Sequence, residues 1–216
     1  MMFTVLLKDF AVNTEHVFTK AVPYEDAGFT AFCESMLKAF GNVLRTTDIS
    51  LDRGDHLYNY RLSLRMFNGS ADIIFTSAGL TAAFRAGKNK SDLQIMGGCA
   101  IALETLLQER PVELRQVTFA AHAEFPTVQD YDTHMATVAN KERGYTAGGV
   151  TLHCPGNTFE GQIRFSTDKS LAIEHALFAT CQISTGEKFS KELLAKFEAR
   201  FVDVAKDLKL EFKISE

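Results

Sequence analysis

From Tyr58 to Met66, apolar Tyr58, Tyr60, Leu62, Leu64 and Met66 alternate with Asn59, Arg61, Ser63 and Arg65. A period of two places the two sets on opposite sides of a strand, so the segment predicts a strand with one greasy and one polar face. Asn68-Gly69 follows at once. Both residues tolerate positive φ, as the centre of a type I′ hairpin requires, so Ala71 to Ser77 is expected to return antiparallel. A third strand, roughly Leu80 to Arg85, ends at Gly87. Consecutive hairpins argue against a doubly wound parallel sheet, in which helices separate the strands.

The flanking segments have their own periods. Phe3 to about Val22, with an Asn13-Thr14-Glu15 interruption, reads as two short strands or one broken one, ended by Pro23. Phe29, Phe32, Cys33, Met36, Leu37 and Phe40 then form a stripe at helical spacing, with Glu25 and Asp26 at its start and Gly41 at its end. Ser91-Asp92-Leu93-Gln94 has the form of a capping box opening a helix through Met96, Ala100, Leu103 and Leu107. Gly97-Gly98 inside that helix costs about 1 kcal/mol per glycine relative to alanine, which calls for close packing there or a later start.

Glu109-Arg110-Pro111 ends the helix, and beyond it the order of elements repeats. Val117 to Phe125 is strand-like, and Tyr131, Met135 and Val138 mark a short helix opened by Thr127 and Asp130. Gly144 and Gly148-Gly149 lead into alternating Val150, Leu152 and Cys154. After Pro155-Gly156-Asn157 a second alternation runs through Phe159, Gly161, Ile163 and Phe165, and a third strand spans about Ser170 to Ile183. The last helix carries Phe189, Leu193, Leu194, Phe197, Phe201, Val204 and Leu208, after a Ser184 to Glu187 capping box.

The expected fold is therefore α+β: a mainly antiparallel sheet with helices packed on one face, made of two related β-α-β-β-β-α halves. These are an N-terminal half, 1–110, and a C-terminal half of similar layout, 111–216, packed as one unit. The best local match sets Ile73, Phe75, Thr76 and Ser77 against Ile163, Phe165, Ser166 and Thr167.

Composition narrows the function classes. Eighteen Phe and no Trp favour a Phe-filled core, and a formal charge of −4 argues against binding nucleic acid by phosphate neutralisation. No run of ~18 apolar residues suggests a membrane span, and the N-terminus lacks the basic region of a signal peptide, so the cytoplasm is the expected location. Cys33, Cys99, Cys154 and Cys181 are far apart and form no CxxC pair, so each reads as a small buried hydrophobe.

No phosphate-loop, dinucleotide or serine-hydrolase motif is present. His122-Ala123-Glu124 has the H-A-E of zinc deaminases but lacks their downstream P-C-x-x-C, and no metal or cofactor is expected. His153-Cys154 resembles a thiol beside its base, yet neighbours on a strand face opposite ways. With no catalytic set found, enzymatic activity is left open and the balance falls toward a binding or assembly protein. It would use a sheet surface or edge to engage a protein partner or, as a homo-oligomer, itself. The candidate binding residues are Arg61, Arg65, His153 and Arg164, on polar strand faces in equivalent places in the two halves. The alternative is a small enzyme or carrier holding an anionic small molecule in a pocket between the sheet and the long C-terminal helix.

Overall fold

The computed structural model describes residues 2–107, 110–138 and 149–214. Glu109, Gly144 and Gly148, invoked above, lie outside them. The described residues form ten strands and four α-helices. In chain order these are β1 (Phe3–Phe18), α1 (Asp26–Phe40), β2 (Ile49–Arg53), β3 (Tyr60–Met66), β4 (Ala71–Thr76), β5 (Gly79–Gly87) and α2 (Lys90–Leu106). The second series is β6 (Val112–Glu124), α3 (Val128–Val138), β7 (Val150–Pro155), β8 (Gly161–Lys169), β9 (Ala176–Thr185), α4 (Lys191–Asp207) and β10 (Leu210–Lys213).

All ten strands form one sheet, ordered β2-β3-β4-β5-β1-β6-β9-β8-β7, with β10 beside the start of β1. Every pairing is antiparallel except β1 with β10. The antiparallel expectation therefore holds. Asn13-Thr14-Glu15 does not break β1, because Thr14 is buried on the core side while Asn13 and Glu15 reach solvent on the other. The irregularity falls instead between Leu7 and Phe10. There β1 exchanges one neighbour for another, pairing β10 through Phe3–Leu6 and β5 from Phe10 onward.

The two halves are related residue by residue. Leu62 faces Phe75 and Leu152 faces Phe165, thirteen positions further along in each hairpin, so β3-β4 and β7-β8 correspond at a constant offset of ninety residues. Ile73 and Ile163, matched in the sequence, sit at equivalent buried positions in the middle strands β4 and β8. Strand orders β3-β4-β5-β1 and β7-β8-β9-β6 are counterparts about the central β1-β6 pair. The N-terminal half departs from β-α-β-β-β-α by the additional edge strand β2, which has no counterpart among the described residues. Its residues Ile-Ser-Leu-Asp-Arg are mostly exposed, so it carries no buried face to mark it in sequence.

Among the described residues, helices pack on one face only. Phe29, Phe32 and Met36 of α1, Met96, Cys99 and Leu103 of α2, and Tyr131 and Met135 of α3 join Phe75, Leu64 and Ile73 of the sheet in one cluster. Leu193, Phe197 and Val204 of α4 join Phe165, Ile163 and Cys181 in a second. Phe75 illustrates the Phe-filled core: Phe18, Phe29, Phe32 and Tyr60 pack their rings around it at centroid distances of 5.2–6.3 Å. A Cβ at Gly97 would sit 3.4 Å from Leu194 Cδ1 on α4, an ordinary van der Waals contact, and one at Gly98 would meet nothing within 4 Å, so neither close packing nor a later start, α2 beginning at Lys90, accounts for the pair.

Several local expectations are corrected. The β3-β4 turn is not a two-residue type I′ hairpin. Met66 pairs with Ala71, and Phe67, Asn68 and Gly69 between them all have positive φ (52°, 53° and 89°). α2 is capped by Asn89 and not Ser91: the Asn89 side chain accepts from Asp92 N, while Asp92 accepts from Asn89 N. α4 is capped by Ser190, whose hydroxyl accepts from Leu193 N, because Ser184 is still inside β9. β9 begins at Ala176 and not Ser170, since residues 170–175 form a turn nucleated by the Ser170 hydroxyl, which accepts from Ala172 N and Ile173 N. β10 escapes the sequence because four residues are too few to establish a period.

Candidate functional site

Helices cover one side of the sheet and leave the other open. Strand parity assigns the open side: Arg61, Ser63 and Arg65 on β3, Asn13 and Glu15 on β1, Gln116 and Thr118 on β6, Gln182 on β9, Arg164 on β8 and His153 on β7. The pairing registers thread one continuous row through Arg65, Asp72, Ala83, Asn13, Thr118, Gln182, Arg164 and His153. Three of the four candidate residues thus share a row, and Arg61 lies four residues along β3 from Arg65, on the same face.

The row is wide. Arg65 on β3 and Arg164 on β8 are six strand spacings apart, about 29 Å along the sheet at ~4.8 Å per step. No small-molecule pocket spans both. Nor do these residues face α4, whose side of the sheet is filled by Phe159 against Phe197 and Phe165 against Phe201.

Charges on this face are partly spent on one another. Asp72 pairs with Arg85, and Glu124 with Lys8. The hydroxyls of Ser166 and Thr180 share a hydrogen bond of 2.6 Å, and Ser184 donates to Gln116. Among the described residues Arg61, Arg65 and Arg164 make no side-chain hydrogen bond or ion pair, so three guanidiniums stand free at the two wings, with the exposed Glu15 carboxylate on the central strand between them. Polar positions repeat between the halves, Ser63 standing at the place of His153, but the guanidiniums themselves do not. At the ninety-residue offset Arg61 corresponds to Thr151, Arg65 to Pro155 and Arg164 to Ile74. The scaffold is duplicated and its charge pattern is not.

Other sequence pairs separate as strand geometry demands. His153 is exposed while Cys154 turns inward. His122 shares a hydrogen bond of 2.9 Å with Ser170, and Glu124 is engaged by Lys8. No cluster of three potential metal ligands occurs among the described residues. Burial pushes the thiols of Cys99 and Cys181 up to about 11 and about 12, so neither is an ionised nucleophile at neutral pH.

The sequence does not reveal a buried ionic cluster on the opposite face. Arg115 on β6 donates from Nε and Nη2 to the two carboxylate oxygens of Glu104 on α2, both at 2.7 Å. Its Nη1 donates to Gly186 O at 3.0 Å. His16, directly opposite Arg115 on β1 and wholly buried, brings Nε2 to 3.3 Å from Glu104 Oε2, an ion-pair approach without hydrogen-bond alignment. Burial alone would raise the Glu104 carboxyl, but His16 and Arg115 outweigh it and hold the group down to about 2.

The duplication shows how asymmetric this cluster is. Aligning the Phe75-Leu80-His16 row with the Phe165-Cys181-Phe119 row makes His16 and Arg115 the counterparts of Phe119 and Val12. An ionic cluster therefore sits on one side of the central axis where an apolar one, Phe119 against Phe201, sits on the other. One signal was legible: Glu104 falls four residues after Ala100 and eight after Met96, on the apolar stripe of its helix.

The fold and open face define this chain as a duplicated α+β protein with a single-layer sheet whose uncovered side is mostly polar, with Leu114 and Phe178 partly exposed on it. No protein-family model matches the sequence, and no curated protein matches it. Among solved structures it is similar to Methanococcus jannaschii TBP, at 12% identity and a TM-score of 0.26 over 94% of this chain and 99% of that one. No helix among the described residues is long and apolar enough to cross a membrane.

Proposed function

We propose that the chain is a non-enzymatic binding protein, its two halves acting as one unit, whose open sheet face docks a protein partner. The observation that supports this is the one-sided helix layer, which leaves nine strands' worth of polar side chains uncovered. Arg61, Arg65 and Arg164 stand on that surface without partners among the described residues. Arginine is favoured at interfaces because its planar fork meets carboxylates bidentately and is weakly hydrated. The partner surface is accordingly acidic at points about 29 Å apart.

Quantitative affinity capture tests this with the R61E/R65E/R164E variant beside a helix-side control, K38E/K191E. A docking face predicts one partner recovered by wild type and control and lost by the open-face variant. Equal recovery by all three would overturn the assignment. Light scattering of the same proteins identifies a second copy as the partner if wild type and control are dimers and R61E/R65E/R164E is a monomer.

A further inference from the structure

We propose that a cleft at the rim of the N-terminal half binds a small molecule bearing a phosphate or carboxylate group. The cleft, of about 550 Å³, lies between the α1-β2 connection and the β3-β4 turn and is lined by Asn42, Arg45, Asp48, Arg65, Phe67 and Asn68, among others. That volume lies within the range of small-ligand sites, roughly 300–1,000 Å³.

Its walls are held in place. Leu44 is buried beneath the connection and its N–H donates to Phe40 O. Arg45 N donates to the Asp48 carboxylate while Asp48 N donates back to Arg45 O. The two walls are tied together by Phe67 N donating to Val43 O at 3.2 Å, and the far end of the turn by Arg85 N donating to Ser70 O at 2.8 Å. Phe67 and Asn68 both adopt left-handed backbone conformations, at φ 52° and 53°. For phenylalanine this is costly, and such strain persists only where surrounding contacts enforce it and concentrates at binding sites.

The lining chemistry selects the ligand. Neither Arg45 nor Arg65 makes a side-chain hydrogen bond or ion pair among the described residues, so the cleft presents two free guanidiniums, which match the oxygens of phosphate and carboxylate bidentately. Asp48 leaves the lining only modestly positive, which fits a singly or doubly charged organic anion better than a polyphosphate. Asn42 and Asn68 can bond hydroxyl or carbonyl groups on its body.

Arg65 also belongs to the open sheet face, whereas Arg45 lies off it and Arg164 lies far from the cleft. R45Q therefore perturbs the cleft alone and R164E the face alone. Amide chemical-shift titrations with inorganic phosphate, glycerol 3-phosphate and succinate are predicted to give saturable shifts confined to residues 42–48 and 67–70. The dissociation constant for the better anion is expected on the order of 1 mM or below. Preference for glycerol 3-phosphate identifies a phosphate ester, and preference for succinate a carboxylate. R45Q and R65Q should each weaken binding about tenfold, with R164E unaffected. Linear, unsaturating shifts for all three probes, or binding unchanged in folded R45Q, would overturn the proposal.

Discussion

Replacing Arg115 by methionine should be among the most destabilising single changes in the molecule. The substitution keeps most of the aliphatic stem and removes two 2.7 Å hydrogen bonds to Glu104, whose side chain is only 7% exposed. His16 at 3.3 Å and Phe189 N at 3.5 Å remain near the carboxylate and cannot replace them. Breaking a buried pair by removing one partner costs about 3–5 kcal/mol. For a chain of this length that lowers the melting temperature by roughly 10 °C. Thermal and urea unfolding should be followed by far-UV circular dichroism, because the chain has no Trp. The double change E104L/R115M removes both charges and should recover most of the loss. The carboxyl is held at about 2 against an ordinary 4.5. Its contribution, about 3 kcal/mol, is fully present above pH 4.5 and disappears as pH falls toward 2. E104Q should lack that acid-dependent fall. An R115M cost below about 1 kcal/mol, or a double variant as unstable as R115M alone, would refute the reasoning.

Three further outcomes follow from local geometry. N89A and S190A should each cost about 1 kcal/mol by chemical denaturation, and S91A and S184A less than half that, which separates the observed caps from the alternatives suggested by sequence. With a thiol reagent at neutral pH, Cys99 and Cys181 should stay unmodified until the protein is unfolded, their thiols being raised to about 11 and about 12 by burial. His134, buried between the rings of Phe3 and Phe125, has its pKa lowered by burial. Unfolding therefore takes up a proton there below pH 6.5, and wild type should lose stability as pH falls through that value while H134L lacks this component.

Much of the scaffold was legible because it rests on short-range periodicity. The alternation in Tyr60–Met66, the stripe from Phe29 to Phe40 and the matched Ile73 and Ile163 all encode which side of an element is buried, and burial obeys that pattern. What escaped depends on partners distant in sequence. Edge strand β2 has no buried face to reveal it, and β10 exists because Leu210 to Lys213 meets β1 some two hundred residues earlier. The caps were displaced by a residue or several because serine and asparagine near a helix start compete, and tertiary placement of the preceding strand decides between them. Among the candidate residues, strand parity put Arg61, Arg65, His153 and Arg164 on one face. It could not say that Arg65 and Arg164 stand six strands apart, or that Arg65 also closes a cleft with Arg45. Nor could it join His16, Glu104 and Arg115.

The central claim is that the uncovered side of the sheet is where the molecule meets its partner. A photo-crosslinking amino acid at Asn13, exposed at the middle of that face, tests it directly in the native cell, with the same group at Lys38 on α1 as reference. A discrete adduct from position 13 and none from position 38, lost when R61E/R65E/R164E is added, is the predicted result. An adduct from position 38 alone, or the same adduct from both positions, would contradict it.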